Sequence, residues 1–64
     1  MKDRVKDKFQ RVWKNQQKEQ RAEALRDFKL MLERPSDPWR KSVYRLWSDE
    51  ELRQMVKLLE ESLS

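Results

Sequence analysis

Glycine is absent from all 64 residues of this chain, and its only two prolines, Pro35 and Pro38, stand close together past the midpoint. Tight strand-to-strand turns depend on Gly or Asn-Gly pairs, because their central residues need positive φ. A sheet therefore has almost no means of turning back on itself here, and an all-α fold is expected. The same absence removes the glycine-rich loops that cradle phosphates in nucleotide-binding sites.

Cysteine and histidine are also absent. Disulfides, thiol nucleophiles, imidazole bases and the usual zinc, copper and haem ligands go with them. Asp49, Glu50 and Glu51 are adjacent at an expected helix start, where solvated capping charge is the expected role. The chain reads as a non-enzyme, with no metal or other cofactor implied. Its longest apolar run, Leu30 to Leu32, is far too short to span a membrane. The N-terminus lacks the apolar core of a signal peptide, so a cytoplasmic protein is expected.

From Lys2 to Arg34 the residues are mostly Lys, Arg, Gln, Glu, Leu and Ala, all good helix formers. One long helix over about residues 3–34 is the simplest reading, with Ala24, Leu25, Phe28, Met31 and Leu32 forming an apolar stripe in its second half. Pro35 stops it, since the residue before a proline avoids the helical region. Asp37 as N-cap and Pro38 at the first helical position predict a short second helix over about 38–46. Its expected inward face is Trp39, Val43 and Leu46 or Trp47, with Tyr44 at the edge.

In "WSDEEL", Ser48 and Glu51 have the spacing of a capping box, and Trp47 and Leu52 that of a hydrophobic staple. This stretch resembles the acidic helix start of a Myb-type repeat, a likeness that capping chemistry by itself accounts for. A third helix over about 49–62 follows, with Leu52, Met55, Val56, Leu59 and Leu63 at helical spacing.

The expected architecture is thus one domain over residues 1–64, a helical hairpin or small three-helix bundle with one long helix and two shorter ones. A straight helix of that length would span about 45 Å, more than two short helices can cover. Val5, Phe9, Val12 and Trp13 are left outside the hairpin, on a stripe that points differently from that of Leu25, Phe28 and Leu32. The competing arrangement breaks the helix near Asn15 and folds its first part back onto the core, without a Gly or Pro to assist.

An uncovered apolar face predicts a partner, either another protein or a second copy. Residues 1–21 carry eight Lys or Arg against three Asp or Glu, net +5, and residues 48–64 carry two against five, net −3. Those opposite charges suit an antiparallel homodimer. The expected function is a small non-enzymatic protein–protein interaction module, a regulator or adaptor. In it Phe9, Val12 and Trp13 enter a partner's apolar groove while Arg4, Lys8 and Arg11 meet acidic residues at the rim.

Arg4, Lys8, Arg11, Lys14 and Lys18 recur at three-and-four spacing, which on one continuous helix gives a cationic line. As well as a solvated face, that line suits nucleic-acid binding through the phosphate backbone, the alternative function. Asp3 and Asp7 interrupt it, and the acidic start of the third helix would repel phosphate. A membrane surface is the least favoured partner, because the apolar face is short and continues into Gln-rich sequence.

Overall fold

The computed structural model describes residues 3–64, and every regular element among them is helical. The chain runs through α1 (Arg4–Lys8), a π-helical segment (Phe9–Trp13), α2 (Lys18–Glu33), α3 (Pro38–Ser42) and α4 (Asp49–Leu63). The all-α reading holds. A single helix over residues 3–34 does not form: the chain breaks after Lys14, Gln17 is extended, and α2 starts afresh at Lys18.

Asp3 starts the first helical arm, its carboxylate accepting from the backbone N–H groups of Val5 and Lys6. The arm continues without interruption into the π segment, whose wider turn shows in the Lys14 N–H donating to the Phe9 carbonyl at 2.8 Å. Nothing in residues 14–17 obliges the chain to turn there, so the cause is tertiary. A helix carried straight through would gain about four backbone hydrogen bonds, each of about 1 kcal/mol net. Folding back buries Val5 completely and Phe9 and Trp13 in part against the core. Each large apolar side chain fully removed from water stabilises by about 1.5 to 3 kcal/mol. Burial of the arm together with the Arg4–Glu51 ion pair is of a size to offset the forgone ladder, and the longest dimension is 29 Å, far less than a straight helix would need.

The body of the molecule is α2 packed on α4. Ala24, Phe28 and Met31 of α2 are buried with Leu52, Met55 and Leu59 of α4, and Val5 and Tyr44 complete the core. Near the start of α2, the Arg21 guanidinium donates to the Ser62 carbonyl at the end of α4 (3.0 Å). α4 owes its start to the expected capping box: the Ser48 hydroxyl accepts from the Glu51 N–H, and the Glu51 carboxylate accepts from the Ser48 N–H.

The second helix is shorter than expected, and of its expected inward face only Trp47 packs inward. Asp37 caps it and Pro38 opens it, but it ends at Ser42, whose hydroxyl turns back to the Pro38 carbonyl (2.9 Å). Such back-bonding competes with the helix ladder. A turn follows, with the Trp47 N–H donating to the Tyr44 carbonyl (3.0 Å). Helical periodicity lapses at that point. Tyr44 and Trp47 therefore both pack inward, whereas Trp39, Val43 and Leu46 face solvent.

Candidate interaction surface

Four aromatic rings form the centre to which the surface is fixed. Phe28 meets Tyr44 edge-on at 4.9 Å and Trp13 edge-on at 6.3 Å, and it stacks with Trp47 at 6.2 Å. Tyr44 in turn meets Trp47 at 5.0 Å, nearly perpendicular. These offset and edge-to-face arrangements are the favourable ones for aromatic quadrupoles. Burial, and then the nearby Asp27 carboxylate, raise the Tyr44 phenol above its ordinary pKa.

Trp13, expected to stand free as an interface anchor, is instead packed into this cluster. Val5 is fully buried, Phe9 packs on the core, and Val12 is half-buried. The premise of an uncovered N-terminal face is therefore overturned. The chain's own body covers these side chains, as in the competing arrangement with a break near Asn15, although no Gly or Pro assists the turn.

The cationic line is dismantled by the same fold. Arg4 pairs through two nitrogens with the Glu51 carboxylate, donates to the Leu46 carbonyl (2.6 Å), and lies 6.0 Å from the Trp47 ring centre. Lys8 Nζ stands 5.8 Å from the Tyr44 ring centre, and Arg11 pairs with Asp7 within the arm at 3.0 Å. Lys14 ends the arm, and Lys18 begins α2 on the other side of the break. The five no longer share one helix axis.

The acidic triplet at the start of α4 is likewise more than solvated capping charge. Glu51 holds both the cap and Arg4, and Asp49 pairs with Arg40. The Arg4 guanidinium, followed by the hydrogen bond with Ser48, lowers the Glu51 carboxyl from 4.5 to about 2. The arm is thus fastened to the α3–α4 turn at the residue that starts α4. Among the described residues no group of three or more acidic side chains is arranged to hold a metal ion. No helix among them is long and apolar enough to cross a membrane.

The exposed apolar surface lies on α3 and the turn after it, where sequence reasoning expected an inward face. Trp39 is 57 % exposed, Val43 50 % and Leu46 73 %, all within residues 39–46. Beside Trp39 a cleft of about 140 Å³ opens between α2, α3 and the arm, lined by Trp13, Asp27, Phe28, Met31 and Tyr44. Residues 34–46 carry Arg34, Arg40, Lys41 and Arg45 against Asp37 alone, a net charge of +3. Arg40 also has a buried Nη1 without a hydrogen-bond partner. The signal for this surface was present in the sequence as "PWRKSVYRL", but helical spacing assigned its residues to the wrong faces. The chain matches no protein-family model, no curated protein and no solved structure.

Proposed function

We propose that this chain is a small non-enzymatic protein-binding module whose docking surface is α3 and the following turn. The observation that carries the reading is the exposure of Trp39, Val43 and Leu46 within one short basic segment. Isolated exposed apolar residues are ordinary, but three large ones within residues 39–46, of which Trp39 also lines the cleft, against eight buried core residues among the described ones, are the kind of cluster that marks an interaction site. Trp and Arg are also the residue types over-represented at energetic centres of interfaces.

The partner is a protein segment that combines an apolar side chain with Asp or Glu around it. The apolar group covers Trp39 and Leu46 and reaches the cleft, while the carboxylates meet Arg34, Lys41 and Arg45. The chain then acts as an adaptor or regulator by occupying that segment. Nucleic acid is less well supported, since Arg4, Lys8 and Arg11 of the arm are engaged within the fold.

Selection from a random peptide display library tests this. Binders should combine Leu, Phe or Trp with flanking Asp or Glu, and a Trp39→Ser, Leu46→Ser double variant that remains helical should lose them. Selection without acidic enrichment, or binding that survives the double variant, would discard the proposal. Titration with single-stranded and duplex DNA or RNA at two salt concentrations checks the alternative: tight, salt-sensitive binding there would put nucleic acid first.

A further inference from the structure

The turn joining the arm to α2 contains no residue that forbids a helix, although Asn15 is a weak helix former. Lys14, Asn15, Gln16 and Gln17 include no Gly, no Pro and no β-branched residue. Within the turn the Gln16 N–H donates to the Trp13 carbonyl (3.0 Å) and the Gln17 carbonyl accepts from the Arg21 N–H (3.0 Å), while Gln17 caps α2 without any side-chain bond to its first turn. Local structure and tertiary packing therefore disagree at this turn, and the disagreement is resolved by Val5, Phe9 and Trp13 reaching the body. Nothing in those contacts requires the body to belong to the same chain.

We propose that a second copy of this chain is a partner of the arm. Residues 3–13 leave their own body, the arm and α2 join through residues 14–17 into one continuous helix, and each arm docks on the other copy. Arg4 then meets the partner copy's α4 start and Val5 fills the vacated core position, as they do within one chain. The exchange is reciprocal and closes with two-fold symmetry. It keeps the arm's apolar burial and adds the helix hydrogen bonds that the turn forgoes. It uses the arm and not Trp39, Val43 or Leu46; Trp13 of the arm also lines the cleft, so the Trp39→Ser, Leu46→Ser variant is what separates the two proposals.

Two sets of variants test it, each unfolded and refolded at micromolar to millimolar concentration and then examined by sedimentation. Gln17→Pro suits the closed form, because φ at this residue is −67°, which a proline ring adopts, but it cannot continue an α-helix. It should remain monomeric where the native chain forms dimers. Asn15→Ala with Gln17→Ala should lower the dimer dissociation constant at least tenfold.

In the second set, Arg4→Glu and Glu51→Arg each place like charges together within one chain. Mixed in equal amounts, they should form heterodimers, because exchange restores an opposite-charge pair at both contacts. A native chain that stays monomeric throughout, or a mixture without heterodimers, would overturn the proposal. Dimers that persist in Gln17→Pro and vanish in Trp39→Ser, Leu46→Ser would place association on the α3 surface and overturn it equally.

Discussion

The arm and α4 are both amphipathic helical segments, yet they hold their places for different reasons. α4 has a capping box at its start and a stripe, Leu52, Met55 and Leu59, that is wholly removed from water. Its local signals and its tertiary contacts agree. The arm has an Asp3 cap but ends in a π turn and a break that its own sequence does not ask for. It stays where it is because the body offers somewhere to bury Val5 and a carboxylate for Arg4. Agreement between levels marks a segment that specifies itself, and disagreement marks one with another arrangement within reach.

The largest effect should come from breaking the segment in which the levels agree. Leu52→Ala removes a side chain with no exposure from the core. A loss of about 3 kcal/mol is expected from the cavity and transfer terms together, enough to unfold much of a chain this small. Val5→Ala, by comparison, removes two buried methyl groups at a loss of about 1.5 kcal/mol. Urea unfolding should separate the two, and amide exchange should show residues 4–13 opening in Val5→Ala while α4 keeps its protection. Uniform loss of protection in Val5→Ala would mean that arm and body form a single cooperative unit.

Ser48→Ala comes next. It deletes the N-cap of α4, a change of about 1 kcal/mol, and releases one of the groups that orient Glu51. Because Glu51 also holds Arg4, the arm should loosen along with the start of α4. Amide exchange that rises at Val5 and Lys6 as well as at residues 49–52 would show that coupling. A rise confined to α4 would show that the clasp is independent of the cap.

The same contrast explains how much was legible in advance. The all-helical class followed from missing Gly, and the start of α4 from Ser48 and Glu51, since both rest on chemistry within a few residues. The turn at residues 14–17 was legible only as the competing arrangement with a break near Asn15, because its cause lies in the core that the arm reaches and not in its own composition. Misplacement of Trp39 and Tyr44 had a more local origin. Helical spacing was extended past Ser42, and once the helix stops the spacing no longer says which side chains turn inward. That error hid the exposed Trp39, Val43 and Leu46, while the straight-helix reading of residues 3–34 made the N-terminal stripe look like the open face.

The smallest effect is expected at the clasp itself, which lies in water, where an ion pair contributes little. Its sign is nevertheless definite. Glu51 titrates at about 2 in the folded chain against an ordinary 4.5, so folding favours its charged form. That contribution is fully present above the ordinary value and is lost as pH falls toward and through the folded one. Arm protection, followed through the Val5 methyl resonances, should therefore weaken between about pH 4.5 and pH 2, before the body unfolds. In Arg4→Gln the midpoint for Glu51 should move back toward its ordinary value but stop short of it, because the Ser48 hydrogen bonds still favour the charged carboxylate. A Glu51 titration unchanged in Arg4→Gln would show that the cap alone lowers it. The arm would then be held by its apolar side chains and by the Arg4 contacts to the Leu46 carbonyl and the Trp47 ring.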